Sequence, residues 1–578
     1  MAQYPNPISL LEVTDKTTSD RVLVNGYLQA EPIKGLTLKA NLGVDRRYDK
    51  NKSYVPNTTV AGAAKGGIAN ILQRDNIDYL MELTANYTKD FGNHSLTALV
   101  GYSYQQFNQE SVYAGNEDFS TDGFLYNNLQ AGAGTKPYVN SSARKSALGS
   151  YFARANYSYL GKYLLTVTVR ADGESNFHPD YRWGYFPSVS AGWRFSDEEF
   201  MKPLSSILSN GKLRASYGQT GNSNIGNYMT DSYGVVSGWV FGNDGYMGTA
   251  ITKRGNKKLT WETTSEFNIG LDLGFFDNRI SLSMEYYNRI ISDLLVSNKS
   301  LPAYNEINTI AANIGKTQGR GFELTLSTVN IMNKDWTWST DFTFYTFKDN
   351  WYERDPNWKP AAYESKKDPI RSYYSYVSDG LLQVGEKAPA WQPTLVPGQI
   401  KLKNLYDTGT SPNVLDQYDK VNLGSQDPKC TLGLNNTLRY KNLDFNIYFY
   451  GEIGRLRGAS YYDAWIVGLG NSLTNVSQQS LHSYTNANQN TTVPNLIESA
   501  YDFGDYYHKK INYLRCRNIT LGYTIPVSKS IANSVRISAN VSNPFVFTNW
   551  NGVDPETDTG NFSYPNVTSF SFGIDISF

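Results

Sequence analysis

Residues 267–286 read FNIGLDLGFFDNRISLSMEY, and this stretch predicts the fold class of the chain. Apolar side chains occupy every second position up to Phe275, and the alternation resumes at Ile280, after Asp277 and Asn278. A period of two is typical of a β-strand with one apolar and one polar face, and the Asp-Asn pair suits a tight turn. The stretch therefore predicts a β-hairpin with one apolar face.

The same alternation recurs along the whole chain of 578 residues. It is clearest at 36–45, 322–326, 443–449, 535–541 and 570–578. We expect about sixteen such strands, each long enough for the nine to eleven residues that a tilted membrane strand requires. The sequence predicts an all-β protein.

The connections between these strands alternate between two kinds. Short ones lie at 91–94, 160–162, 277–278, 333–335 and 440–442. Long polar ones lie at 46–76, 109–142, 219–262, 297–312, 351–427, 455–508 and 548–566. Successive hairpins place every second connection on the same side of a sheet, so one side has short turns and the other has long loops. This asymmetry indicates a transmembrane antiparallel up-and-down β-barrel, with short periplasmic turns and long extracellular loops, rather than a β-sandwich.

Composition excludes several other classes of protein. The chain has 53 Lys and Arg against 53 Asp and Glu, without the basic clusters that nucleic acid requires. No run of 18 uncharged apolar residues predicts a membrane helix. Two Cys and four His supply neither a disulfide framework nor a metal cluster, and no nucleophile elbow, phosphate loop or zinc spacing occurs. We therefore expect no enzyme, no cofactor and no metal site built from Cys and His.

Tyr and Trp cluster near the ends of the predicted strands, at 157–159, 185–186, 286–287, 336–338 and 448–450. In a membrane barrel such residues form the girdles at the boundary between lipid and water. In another kind of sheet they would be ordinary cross-strand aromatic pairs. The asymmetry of the connections favours the membrane barrel.

The C-terminal strand ends on an apolar aromatic residue in register with an apolar row. We interpret this row as a membrane-assembly signal, because it resembles the C-terminal signal of outer-membrane barrels and because chain termini usually fray in water. Its members are Phe570, Phe572, Ile574, Ile576 and Phe578.

Several motifs in consistent order resemble the SusC/RagA family of TonB-dependent transporters of Bacteroidetes outer membranes. They are RADG (170–173), RWGYFPSVSAGWR (182–194), RASYGQTGN (214–222), LTWE (259–262), NIGLD (268–272), NIG (313–315), GFE (321–323), YKNLD (440–444), YLR (513–515), NITLGY (518–523) and NWNGVDPE (549–556). The resemblance extends over essentially the whole chain.

The resemblance implies a 22-stranded barrel with an N-terminal plug, a segment that contacts TonB, and a signal peptide. None of the last three is evident in this sequence, so we expect residues 1–578 to be the C-terminal part of such a barrel. An incomplete barrel would leave unpaired strand edges in lipid, which is costly.

The resemblance also implies the function: an outer-membrane active transporter that imports oligosaccharides or peptides. A SusD-like lipoprotein would cover the loop side, and TonB would act through the plug. Three alternatives remain: a secreted or surface all-β carbohydrate-binding protein or adhesin, a non-functional truncated transporter, and a barrel with a built-in hydrolase, for which no catalytic group is visible.

Aromatic residues in the long loops are candidates for substrate contact, because aromatic faces stack on sugar rings and cations. Alternatively, they pack the loops against one another. The candidates are Trp239, Phe241, Trp351, Trp358, Trp391, Tyr461, Tyr462 and Trp465.

An acidic loop at 554–560 has alternating oxygen ligands of the kind that Ca²⁺ prefers, but it lacks the EF-hand spacing. Turn chemistry explains the same residues without a metal. Calcium therefore remains an open alternative for this loop.

Overall fold

The computed structural model of the protein describes residues 8–134, 137–241, 244–302, 304–305, 307–406, 413–458, 478–495, 503–527, 532–557 and 564–577. These ranges form 25 β-strands, one turn of α-helix (Val60–Ala63) and seven short 3-10 helices. The 3-10 helices are Ser9–Glu12, Asp122–Phe124, Leu129–Ala131, Phe195–Asp197, Glu199–Leu204, Gln417–Asp419 and Gln478–His482. In the part of the chain that is described, no helix combines the length and the apolar character needed to cross a membrane.

The strands of the first half are β1 (Thr14–Ile33), β2 (Leu36–Val55), β3 (Ile68–Phe91), β4 (His94–Glu117), β5 (Tyr138–Tyr159), β6 (Tyr163–Glu174), β7 (Trp183–Arg194), β8 (Leu208–Asn222), β9 (Tyr233–Phe241), β10 (Asp244–Lys253), β11 (Glu262–Phe275) and β12 (Ile280–Ser292). Those of the second half are β13 (Leu295–Ser300), β14 (Thr309–Asn313), β15 (Lys316–Met332), β16 (Trp336–Glu353), β17 (Ser372–Ser375), β18 (Ser378–Leu381), β19 (Ile400–Leu402), β20 (Val421–Ser425), β21 (Cys430–Tyr440), β22 (Leu443–Arg457), β23 (Lys509–Ile525), β24 (Ser534–Thr548) and β25 (Ser569–Ser577).

Seventeen of the described strands belong to one sheet, against about sixteen expected. Consecutive strands from β1 to β6 pair antiparallel, and so do β15, β16 and β21 to β25. The other eight strands form four two-stranded sheets, β9–β10, β13–β14, β17–β20 and β18–β19. These small sheets lie within the long connections, so the predicted loops contain regular structure of their own.

The hairpin predicted from residues 267–286 is confirmed as β11 and β12. Its turn contains three consecutive residues with positive φ, Phe276 (53°), Asp277 (56°) and Asn278 (59°). Asn and Asp tolerate this left-handed conformation better than other non-glycine residues. The turn at Asp277 and Asn278 could therefore be predicted from the sequence, whereas the positive φ of Phe276 could not.

The two faces of the large sheet differ as the alternation predicts. On one face of β2 and β3, Leu42 lies opposite Met81 and Ala40 opposite Leu83. On the other face, the Asn41 amide donates to the Glu82 carboxylate at 3.3 Å. The apolar face is uncovered, with Leu42 60% exposed. In water an apolar face of this extent would be unfavourable, but lipid covers it at no such cost.

Several strands run further than the sequence predicted. The connection expected over 46–76 is confined to residues 56–67, because β2 continues to Val55 and β3 begins at Ile68. The extended parts carry polar residues on both faces, and polar pairs such as Arg46–Asp75 (2.7 Å) join neighbouring strands. Because alternation is lost where both faces meet water, hydrophobic pattern alone could not detect these extensions.

The chain divides into two compact units. The first comprises Met1–Ala191, Tyr217–Ser265 and Ile291–Ile314, and the second Gly192–Ser216, Glu266–Ile290 and Gly315–Phe578. The main core of the first unit consists of Phe177, Phe186, Ile225, Leu259, Trp261 and Ala311. Within this core the Trp261 indole N–H donates to the carbonyl oxygen of Arg182 at 2.7 Å. The LTWE motif thus contributes to the packing of its unit.

Candidate functional site

A row of amide side chains crosses the polar face of the second unit, from β21 to β24. The Asn446 amide donates to the Asn435 oxygen at 2.8 Å, and the Asn518 amide to the Asn446 oxygen at 3.4 Å. At the two ends of the row, Asn435 lies 3.5 Å from Asp341, and Asn540 donates to Asn518. The N–H groups of Asn446, Asn518 and Asn540 are already engaged, partly by Thr437 and Thr520, but each amide oxygen retains a lone pair. This face is therefore suited to contact with water or with polar solutes.

Arginines that bridge two carboxylates lie near the short turns of the same unit. Arg536 contacts Asp444 at 2.6 Å and Asp575 at 3.4 Å. In the same way, Arg214 contacts Asp272 at 3.0 Å and also Glu285. A second cation also acts on one carboxylate at each position, Arg439 on Asp444 and Lys212 on Asp272. These arginines therefore join neighbouring strands near the short turns through networks of paired charges.

Two long connections of the second unit form a folded body, here called the loop body (residues 372–406, 413–425, 478–495 and 503–508). Its buried core consists of Leu381, Ile400, Leu402, Tyr484 and Tyr507. The Tyr484 hydroxyl accepts the N–H of Val384 at 3.0 Å, and Asp505 accepts the N–H and hydroxyl of Ser378, both at 2.7 Å. Gly398, at φ +88°, packs directly against the Tyr484 ring. The loop body is thus held by an apolar core and by partly buried hydrogen bonds.

Trp391 lies in the loop body and is partly buried. Its indole N–H donates to the carbonyl oxygen of Leu402 at 2.8 Å, and the neighbouring Gln392 accepts the Leu402 N–H at 2.7 Å. These contacts match the packing alternative for this side chain. Trp391 is therefore a weaker candidate for substrate contact than its position in a loop suggested.

Trp351 and Trp358 are brought together by Arg354 at the long-loop end of β16. The Arg354 guanidinium carbon lies 3.8 Å from the ring centroid of Trp358 and 5.4 Å from that of Trp351. Both indoles line a cavity of about 330 Å³, which Tyr352 and Lys366 also line. Cation–π contact of this kind orients both rings, and each indole has a second face. This aromatic cavity is the candidate substrate-contact site.

The remaining aromatic candidates lie on β9 or outside the described residues. Trp239 and Phe241 lie on β9, where their backbones pair with Tyr246 and Asp244 of β10. The stretch that contains Tyr461, Tyr462 and Trp465 lies outside the described residues. The aromatic cavity therefore brings together two of the eight candidates, Trp351 and Trp358.

A cluster of ion pairs holds the connection between β24 and β25. We call it the Arg515 cluster, and its members are Arg515, Arg517, Asp554 and Glu556. Arg515 contacts Asp554 at 2.8 Å and Glu556 at 2.9 Å, and the Arg515 side chain is only 3% exposed. Arg517 contacts the other oxygen of Glu556 at 2.9 Å. Burial would raise the pKa of the Asp554 carboxyl, but backbone N–H donors and Arg515 outweigh it, so this pKa lies below its ordinary value.

The same contacts bear on the calcium alternative for this loop. Asp554 accepts the backbone N–H of Glu556 at 2.8 Å and that of Asn566 at 3.1 Å, in addition to Arg515. Its oxygens and those of Glu556 therefore already have cationic or N–H partners. Turn formation and arginine pairing account for the two residues without a metal.

The predicted assembly row lies on one face of β25. Phe570, Phe572, Ile574 and Ile576 are 70%, 85%, 69% and 52% exposed. They lie opposite the apolar residues Val541, Ala539, Ile537 and Val535 of β24. Phe578 is outside the described residues. The row therefore continues the apolar face of the sheet, and its role in assembly stays a prediction.

A two-faced antiparallel sheet with short turns on one side and elaborate loops on the other defines the class of an outer-membrane β-barrel. Residues 3–543 match the model of the family described as "TonB dependent receptor-like, beta-barrel". The chain belongs to this family. Proteins of the family lie in the outer membrane and are transporters rather than enzymes, as the sequence predicted.

The similar proteins confirm the resemblance to the SusC/RagA family. TonB-dependent receptor P3 of Formosa agariphila is 32% identical over 99% of this chain and 60% of its own length. SusC of Bacteroides thetaiotaomicron is 28% identical over 99% of this chain and 57% of its own. A structure of the RagAB peptide transporter superposes with a TM-score of 0.84 at 26% identity, covering 99% of this chain and 63% of that one. The chain thus spans about 60% of the length of its curated relatives.

The sequence alone did not identify Arg354 or the Arg515 cluster as parts of these sites. Arg354 lies between two tryptophan candidates in the sequence, and this spacing was a usable signal for cation–π contact. Arg515 lies 39 residues from Asp554 in the sequence, and no local pattern indicates that pairing.

Proposed function

We propose that this chain forms the wall and outer loops of a TonB-dependent active transporter of SusC/RagA type. The transporter imports oligosaccharides or peptides across the outer membrane. A SusD-like lipoprotein covers the loop side and delivers substrate, and TonB supplies the energy. The similarity to the RagAB peptide transporter supports peptides as one of the two substrate classes.

The observation that carries this proposal is the contrast between the two faces of one sheet. The apolar face suits lipid, whereas the amide row on the polar face offers hydrogen bonds to water or to a passing polar solute. Above the wall, the loop body and the aromatic cavity provide an ordered outer surface with exposed rings and charges. A polar substrate could therefore contact the cavity first and the amide row afterwards.

Uptake in whole cells tests this function directly. Cells with and without the gene are given fluorescent oligosaccharides or fluorescent peptides, and internal fluorescence is measured. We expect uptake of one substrate class to be lost without the gene, restored by complementation and abolished in cells that lack TonB. Equal uptake of both classes with and without the gene would contradict the proposal.

Replacing Trp351 and Trp358 together with alanine is expected to reduce uptake at limiting substrate about tenfold. The estimate follows from two stacked rings worth about 0.5–1.5 kcal/mol each. The matched control is Tyr406→Ala, which removes a 62% exposed ring that does not line the aromatic cavity. If the double variant imports substrate as fast as the control, the two tryptophans serve only to pack the loop.

A further inference from the structure

Three aromatic side chains lie together on the polar face of the second unit. They are Tyr287 of β12 and Tyr345 and Phe347 of β16, and we call this set the aromatic patch. The hydroxyl oxygens of Tyr287 and Tyr345 lie 2.9 Å apart. The rings of Tyr345 and Phe347 stack with their centroids 5.3 Å apart and their planes inclined at 22°. A group of rings on the face that meets water is a feature that marks binding surfaces.

Strand pairing places the aromatic patch on the same face as the amide row. Asn435 of that row lies 3.5 Å from Asp341 of β16, and the two residues are directly opposite each other. From Asp341 to Trp351 the pairing of β16 with β15 has no irregularity, so alternate side chains share one face. Tyr345 and Phe347 therefore point to the same side as Asp341, and so does Trp351 of the aromatic cavity.

The aromatic patch lies between the aromatic cavity and the amide row. Along an extended strand, Phe347 is about 13 Å from Trp351, and Tyr345 is about 13 Å from Asp341. The cavity, the patch and the level of the row thus follow one another along β16 from its long-loop end. A solute that moves along this wall meets a ring or an amide at each step.

A glycine allows the three rings to come together. Gly321 of β15 lies directly opposite Phe347, and an added Cβ at Gly321 would meet the Tyr287 ring at 2.5 Å. Tyr287 therefore crosses β15 at this glycine and reaches Tyr345 on the next strand. Tyr287 is only 7% exposed, whereas Tyr345 and Phe347 are partly exposed. Tyr287 thus supports the two rings that a solute can touch, and fixing them in advance lowers the entropic cost of binding.

Hydrogen-bond acceptors lie beside these rings. Glu323 of β15 is exposed and lies directly opposite Tyr345. Asp349 follows Phe347 on the same face and pairs with Arg289 at 3.7 Å. Phe347 and Asp349 also line a cavity of about 470 Å³, so open space adjoins the patch. The patch therefore combines ring surface with carboxylate oxygens.

We infer that the aromatic patch binds the pyranose rings of an oligosaccharide as it passes from the aromatic cavity to the amide row. This inference rests on the proposed transport function and selects one of its two substrate classes. A sugar ring has an apolar C–H face that stacks on an aromatic ring, and its hydroxyls donate to carboxylate and amide oxygens. Every unit of an oligosaccharide offers both surfaces, whereas a peptide of mixed sequence does not.

Uptake by whole cells tests the inference. The probes are a fluorescent neutral oligosaccharide and a fluorescent neutral peptide of similar length, each at limiting and at saturating concentration. The test variant is Y345A/F347A, and F347A alone leaves the contact between the Tyr287 and Tyr345 hydroxyls in place. The matched control is F322A/F344A, which removes two rings 6.4 Å apart on the apolar face of the same two strands. Uptake is expressed per amount of heat-modifiable protein in the outer membrane, so that a loss of folding is not counted as a loss of binding.

We expect Y345A/F347A to lower TonB-dependent uptake of the oligosaccharide about tenfold at limiting concentration, and F347A about threefold. The control should import it like the unmodified chain, and saturating substrate should narrow the difference because the rings act on binding. Equal oligosaccharide uptake by the test and control variants would overturn the inference. If the gene supports TonB-dependent uptake of the peptide alone, the inference is overturned while the transport function stands. If it supports uptake of neither probe, both are overturned.

Discussion

The variant Arg515→Gln is expected to lower the free energy of unfolding by about 3–5 kcal/mol, the cost of breaking a buried ion pair from one side. Asp554, 5% exposed at its side chain, would remain buried without its guanidinium partner, and Glu556 would keep Arg517 and the Asn566 amide as partners. The connection between β24 and β25 would then detach first. The measurement is the temperature at which the folded, fast-migrating band disappears on electrophoresis.

The control for this prediction is Arg47→Gln. Arg47 also contacts a carboxylate, Asp49, at 3.0 Å, but its side chain is 57% exposed. Exposed ion pairs are worth about 0–1 kcal/mol, so this variant should migrate and melt almost like the unmodified chain. Similar losses in both variants would mean that burial is not what makes the Arg515 cluster important.

A lysine in place of Phe572 is expected to prevent most of the chain from assembling in the outer membrane. Phe572 is 85% exposed on the apolar face of β25, and a lysine near the middle of the bilayer costs about 2–4 kcal/mol in a membrane barrel. The measurement is the fraction of heat-modifiable protein in outer-membrane preparations.

Ser571→Lys is the matched control, because Ser571 neighbours Phe572 but lies on the opposite face, across from Asn540. A lysine there meets water and should be tolerated. Equal assembly of the two variants would contradict the assignment of one face to lipid and the other to water.

The large sheet was predictable because its signal is local. A strand that has lipid on one face and water on the other must alternate, and 267–286 shows both the alternation and the turn. Where strands leave the bilayer this constraint disappears. The residues of β2 beyond Arg46 are therefore polar on both faces, and the sequence predicted a loop where the structure has a ladder.

The candidate site was less predictable, because its geometry depends on distant segments. Trp351, Trp358 and Trp391 look alike in sequence, as aromatic residues in a polar connection. Only tertiary contacts distinguish them: Arg354 orients the first two beside a cavity, whereas Leu402 engages the third. Similarly, the pairing of Arg515 with Asp554 depends on how β23 and the last long connection meet.

The loop body has a consequence for how transporters of this kind can diversify. Its core combines Leu381, Ile400 and Leu402 from the connection after β16 with Tyr484 and Tyr507 from the connection after β22. If recombination exchanged only one of these two connections, the core of the loop body would combine side chains that did not evolve to pack against one another. New outer surfaces should therefore arise by joint inheritance of both connections, while the strands between them remain unchanged.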